Sequence, residues 1–143
     1  MKLDDTDHRI IAALRKDSRR SIRDLAKALN LRPSTVHERI RKLRAEGVIE
    51  RFTIKLNNPA VGEGFIVMML VLGKPTQYVG KALIDHPHIK EVFGVTGEYD
   101  LLFKLKFKDV AEFNDFVINF RKENREVQKT LTMVVTVTLK EEL

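Results

Sequence analysis

The stretch SIRDLAKALNLRPSTVHERIRKLRAEG, residues 21–47, holds the start and stop signals of two short helices joined by a turn. Ser21 followed three residues later by Asp24 is a capping pattern, in which side-chain oxygens satisfy the first free amide groups of a helix. Ile22, Leu25, Ala26 and Leu29 then recur at i, i+3, i+4 and i+7, the spacing of one buried helical face. Asn30 suits the left-handed position that ends a helix, and Pro33 suits the first position of the next. That next helix carries the stripe Val36, Ile40 and Leu43 and ends at Gly47. Two helices joined by about three residues make a helix-turn-helix. Upstream, Asp4 with Asp7 repeats the capping pattern before Ile10, Ile11 and Leu14, which predicts a first helix reaching Lys16, with residues 17–20 as a break.

At roughly 100° per residue from the Val36/Ile40/Leu43 stripe, Ser34, Glu38, Arg41, Lys42 and Ala45 point away, flanked by Thr35, His37, Arg39 and Arg44. This face is small and polar near its N-terminal end and basic beyond it. A helix in a DNA major groove needs that order, because short polar groups let the helix end approach base edges while Arg and Lys contact phosphates. The bland alternative is a solvated amphipathic helix carrying a Glu38–Lys42 i, i+4 pair, with His37 merely exposed. Three capped helices in succession, the third the most basic, favour DNA binding.

The charge is placed to match. The chain has 143 residues with 26 Lys plus Arg against 20 Asp plus Glu, a net +6. Residues 1–55 hold 15 of the bases and 8 of the acids, net +7, so residues 56–143 are left with net −1. Ten of the twelve arginines lie in the first part, and arginine is the side chain whose planar fork suits phosphate and guanine edges. No cysteine is present, which excludes disulfides and thiolate metal sites. The acidic, polar start MKLDDTDHRI does not read as a signal peptide, and the longest apolar run falls far below the ~18 residues of a spanning helix. A cytoplasmic protein with no membrane partner is expected.

Residues 48–56, VIERFTIKL, alternate loosely and predict a strand leaving the helical unit. Asn57, Asn58, Pro59, Gly62 and Gly64 then mark a boundary. The expected organisation is a helix-turn-helix over 1–50, a linker strand and hinge over 51–64 and a second domain over 65–143. In that domain FIVMMLVL, Phe65–Leu72, is apolar at every position, so both faces of the strand are expected to be covered. A helix over 76–86 follows, with Val79, Ala82 and Leu83 as its stripe and Pro87 as its stop. Strands over 89–96 and 99–107 are predicted, joined by a tight Gly97-Glu98 turn. A helix over 109–122 is capped by Asp109 with Glu112 and buries Val110, Phe113, Val117 and Phe120. The last strand is expected over 127–139, where Leu131, Met133, Val135, Val137 and Leu139 alternate with threonines. The class is α+β: a three-helix, winged-type helix-turn-helix followed by a ferredoxin-like βαββαβ unit.

Such a sheet serves many functions, so the side chains must decide. No Gly-rich phosphate loop, no metal-ligand spacing and no Ser/His/Asp grouping is found, and an enzyme is not expected. His86 and His88, flanking Pro87, read as ordinary capping or exposed residues. The crowded stretch Gly94-Val95-Thr96-Gly97-Glu98-Tyr99-Asp100 has two readings: an ordinary hairpin with Gly97 at positive φ, or a site for a free amino acid, with backbone amides for the carboxylate and acids for the ammonium.

The pieces LDDTDHRIIAAL, SIRDLAKAL, RPSTVHERIRKLRAEGVI and VTGEYDLLFKL, in this order and spacing, closely resemble the Lrp/AsnC family of feast/famine transcription regulators. The resemblance covers both halves of the chain. It implies a helix-turn-helix joined by a linker strand to a βαββαβ domain for regulation of amino acid metabolism (RAM), which dimerises through its sheet and assembles to octamers or higher. It implies sequence-specific binding of double-stranded DNA through Arg32, Ser34, Thr35, His37, Glu38, Arg39, Arg41, Lys42 and Arg44. It further implies a free amino acid effector near Gly97, Glu98, Tyr99 and Asp100, with Thr130 and Thr132 on the facing strand, and no other cofactor or metal. Arg32 stands where family members often carry a Ser or similar cap. The rival reading is an architectural DNA-compacting protein without an effector.

Overall fold

The computed structural model describes residues 2–74 and 79–142. The chain forms two compact units, Met1–Ile54 and Lys55–Leu143.

In the first unit three helices follow one another: α1 (Asp5–Lys16), α2 (Ile22–Leu29) and α3 (Pro33–Ala45). α1 opens with a reciprocal capping box, the Asp4 side chain accepting from the Asp7 amide at 2.9 Å and Asp7 accepting from the Asp4 amide at 3.1 Å. Ser21 Oγ accepts from the Asp24 amide at 3.1 Å to start α2. α2 and α3 end alike: Asn30 at φ 52 and Gly47 at φ 70 turn the chain left-handed. The following amides reach back to free carbonyls, Leu31 N–H to Ala26 O and Val48 N–H to Leu43 O, each at 2.9 Å. α3 starts with Pro33, and Arg32 before it makes no side-chain capping bond. Ile10, Leu14, Leu25, Ala26, Val36 and Leu43 form the core, and Ile10, Leu25, Val36 and Leu43 are fully buried. Each such side chain contributes about 1.5–3 kcal/mol through burial.

The second unit runs β1 (Phe65–Leu72), α4 (Lys81–Ile84), β2 (Ile89–Gly94), β3 (Leu101–Phe107), α5 (Val110–Glu123) and β4 (Lys129–Val134), after a 3-10 turn at Pro59–Val61. The sheet order is β2-β3-β1-β4, with every neighbouring pair antiparallel. Val67, Met69 and Val71 of β1 and Leu101, Phe103, Leu105 and Phe107 of β3 lie on one face, over which Phe116 and Phe120 of α5 close the core. The opposite face is apolar in part: the register sets Met68 beside Met133 and Leu70 between Leu102 and Leu131, while Lys104 and Lys106 of β3 share that face beside Met68 and Ile66.

Several boundaries differ from the sequence pattern. Residues 48–56 form no strand, since they pair with no other strand among the described residues and alternation alone leaves a strand's backbone groups unbonded. β2 ends at Gly94 and β3 begins at Leu101, so residues 95–100 form a six-residue connection in place of the tight Gly97-Glu98 turn. β4 stops at Val134, and Val137 and Leu139 beyond it are exposed. Of the helix expected over 76–86, the described residues are helical at Lys81–Ile84 alone, and residues 76–78 lie outside the described residues. Among the described residues no helix is long and apolar enough to cross a membrane.

Candidate nucleic-acid interface and effector site

The stripe that buries Val36 and Leu43 forces the opposite side of α3 into solvent, where Ser34, His37, Glu38, Arg41, Lys42 and Arg44 are exposed and Thr35 half-buried. Arg32 is exposed at the helix start. Arg41 Nη2 donates to Glu38 Oε1 at 2.7 Å, one turn away. That bond holds the Glu38 carboxyl below the usual carboxylate range and raises the Arg41 guanidinium, so both stay charged. Arg41 is nonetheless 70% exposed, and an exposed pair of this kind yields readily to a stronger anion. The Arg44 guanidinium lies 5.9 Å from the centre of the Phe52 ring.

Arg39 behaves differently from its neighbours. Its Nη1 donates to Asp7 Oδ1 at 3.0 Å and also to Asp4 Oδ2, both at the start of α1. These bonds raise its guanidinium, the one to Asp4 foremost, and the same bond holds the Asp4 carboxyl low. The sequence reading also passed over α2, whose Arg23 and Lys27 are exposed. The first helix of a helix-turn-helix crosses the DNA backbone, so the concentration of arginines before residue 52 was the available signal for such positions.

In the second unit Gly97, Glu98, Tyr99 and Asp100 lie in the 95–100 connection, at the end of the sheet where β1 and β3 meet it. Gly97 at φ 121 adopts a conformation that disfavours any side chain. Asp100 stitches the connection to β1: its amide donates to Val71 O at 2.9 Å and its Oδ2 accepts from the Gly73 amide at 2.9 Å. Lys129, a residue the sequence reading missed, sits opposite Leu72. Its Nζ donates to Glu98 Oε1 at 2.9 Å and lies 5.3 Å from the Tyr99 ring centre. The bond to Glu98 raises the ammonium, with Tyr99 adding to it. Thr130, opposite Val71, lies on the helix-covered face of the sheet, away from the Lys129 side chain, and accepts from Arg121 of α5 at 3.4 Å. Thr132, opposite Met69, is further along β4 on the same face. Both loop acids are thus already engaged by partners in the chain.

A groove of about 390 Å³ lies at the other end of β3, between His86-Pro87-His88 and α5. His86 packs edge-on against Phe116 with centroids 5.1 Å apart, and His88 lies 4.6 Å from Phe107. Burial, reinforced by His88, pushes the His86 imidazole down from its usual value. Among the described residues no group of three or more His, Cys, Asp or Glu is placed to hold a metal ion.

An exposed basic face on the last of three successive helices places the chain among helix-turn-helix DNA-binding proteins. Residues 3–50 match the model of the winged helix-turn-helix DNA-binding family, and residues 65–143 match that of the Lrp/AsnC ligand binding domain. The chain belongs to the Lrp/AsnC family of transcriptional regulators, with a DNA-binding unit and a ligand-binding unit. It is 38% identical over 135 residues to the HTH-type transcriptional regulator FL11 of Pyrococcus furiosus, covering 93% of this chain and 89% of that one. The FL11 of Pyrococcus horikoshii is likewise 38% identical over 141 residues, covering 97% and 93%. Among solved structures, LrpC of B. subtilis superposes with a TM-score of 0.88 at 25% identity, over 99% of this chain and 100% of that one. A transcriptional regulator from Neisseria meningitidis, solved as its L-Met complex, shares the fold with a TM-score of 0.92 at 23% identity, over 99% and 94%.

Proposed function

We propose that this regulator reads DNA with α3, Ser34, Thr35, His37 and Glu38 facing base edges while Arg32, Arg41, Lys42 and Arg44 contact flanking phosphates. The observation that carries this reading is the exposed outer side of α3, where short polar groups precede a cationic end. Two such units in a homodimer bind two half-sites about one helical turn, or a multiple of it, apart. The dimer forms through the apolar outer side of the sheet, where Phe93, Leu131 and Met133 are 43–47% exposed beside Met68, Leu70 and Leu102. Dimers assemble further into octamers or larger species.

A free amino acid is the effector, held at the Gly97–Asp100 end of the sheet with Thr130 and Thr132 nearby. Lys129 supplies a cation for its carboxylate once Glu98 swings aside. The L-Met complex of the Neisseria regulator, a protein of the same fold, supports this class of ligand. An effector that prefers one assembly shifts the population of assemblies, and with it the spacing of the DNA-binding units.

Footprinting on genomic fragments, repeated with each amino acid present, tests the whole reading. Discrete protected sites whose extent changes with one amino acid are expected. Uniform coverage of all fragments would make the chain an architectural protein, and calorimetry with no heat for any amino acid would remove the effector.

A further inference from the structure

We propose that Arg39 is a positioning residue: it fixes the seat of α3 on α1, and through it the approach of Ser34, Thr35 and Glu38 to the bases, and contacts no phosphate. This inference rests on α3 being the DNA-reading helix. A capping box needs one oxygen from each acid, and here Asp4 Oδ1 and Asp7 Oδ2 serve the two amides. The remaining oxygens, Asp4 Oδ2 and Asp7 Oδ1, both accept from the same nitrogen of Arg39. Every carboxylate oxygen of the pair is therefore occupied, and the helix start and the guanidinium form one closed network.

Burial makes the network demanding. Asp7 is only 5% exposed, and a carboxylate so placed requires a cationic partner, which arrives from 32 residues further along the chain. Arg39 lies three residues after Val36 and four before Leu43, on the flank of the buried stripe, and its side chain is 32% exposed where that of Arg41 is 70%. The apolar stripe of α3 sets which side faces solvent, but burial is not directional and leaves the fine rotation of the helix loosely held. Hydrogen bonds from a guanidinium to two carboxylates are directional, so the clamp sets the roll of α3. Base-edge hydrogen bonds tolerate little misalignment, whereas phosphate attraction tolerates much.

Binding of the full-length protein to a cognate and a scrambled duplex, measured over a salt series, distinguishes the roles. Arg39→Met keeps the aliphatic stem and loses the clamp. About tenfold weaker cognate binding is expected, the scale of one lost base contact, with scrambled binding and the slope against log salt unchanged. Asp4→Asn, a milder change at an exposed position, should act in the same direction and decides the matter should Arg39→Met not fold. If Arg39 instead contacts a phosphate, Arg39→Met flattens the slope for both duplexes and Asp4→Asn, by releasing the guanidinium, tightens binding; either result overturns the proposal. A wild-type chain with no preference for any duplex would overturn the reading of α3 itself.

Discussion

Arg41→Ala tests the phosphate role of the α3 face most directly. Each phosphate contact made by a Lys or Arg releases condensed counterion and contributes about 0.9 to the slope of log affinity against log salt. The proposed dimer would bring two copies of Arg41 to one site, so the substitution should flatten the slope by about 1.8. Between 50 and 200 mM salt, a fourfold change, wild type should therefore lose about twelvefold more affinity than the variant. The loss should be equal on cognate and scrambled duplexes, because a phosphate carries no sequence information. The fold should be indifferent: Arg41 is 70% exposed and its bond to Glu38 is a surface pair one turn long. Removing Arg41 also uncovers the Glu38 carboxylate beside the DNA, which weakens binding at every salt concentration. The comparison is therefore run in a Glu38→Ala background, with fluorescence anisotropy at five or more salt concentrations. A slope equal to that of the Glu38→Ala parent would refute the assignment, whatever happened to affinity at a single concentration.

Leu25→Ala should cost about 2–5 kcal/mol in a unit of 54 residues whose whole stability is about 3–8 kcal/mol. Calorimetry should then resolve an early transition with loss of DNA binding while the sheet unit melts as before; a single unchanged transition would refute the independence of the two cores. In the second unit, the Lys104 ammonium, aided by Lys106 and Asn58, holds the Glu141 carboxyl down at about 2. A lowered carboxylate stabilises the fold above its unfolded value of 4.5, and that contribution is lost as the pH falls from there toward 2. Hydrogen-exchange protection of residues 135–142, relative to the intrinsic rate at each pH, should fall over this window in wild type and be insensitive to it in Glu141→Gln. Lys129→Met should abolish the heat of amino acid binding and leave effector-free DNA binding intact, and retained heat would remove Lys129 from the site.

The helix ends of the first unit are legible in the sequence because their causes are local. Asp4 and Ser21 cap amides three residues away, and Asn30 and Gly47 supply left-handed turns within two residues of each helix end. Strand ends are set elsewhere in the chain. β4 stops at Val134 although the alternation continues to Leu139, because its register with β1 ends at Val67 and Val135 adds only one bond, to Ile66. The 95–100 connection is wider than its glycine suggests because Asp100 is drawn to Val71 and Gly73, residues 27 or more positions earlier. Residues 48–56 have the pattern of a strand and no partner strand among the described residues, and pattern is only half of what pairing needs.

The same division runs through the candidate sites. A helical wheel places Arg39 on the flank of α3, but it does not reveal that the neighbour on that flank is the start of α1 with two acids. Those acids read as caps in the sequence, and they are caps; a carboxylate has lone pairs enough to serve an amide and a guanidinium at once. Charge counted along the chain therefore overstates charge offered to DNA. Of the arginines behind the +7, Arg39 is clamped by Asp4 and Asp7, and Arg9 donates to the Leu29 carbonyl at 2.7 Å, closing the end of α2. Arg20 lies 3.9 Å from Asp17. Electrostatic attraction over a distance depends on the net charge, but the salt slope counts only the cations that reach phosphate. The slope of this protein should consequently be shallower than its arginine count implies, and the positions that lower it will be those whose side chains the fold leaves exposed on α3 and α2.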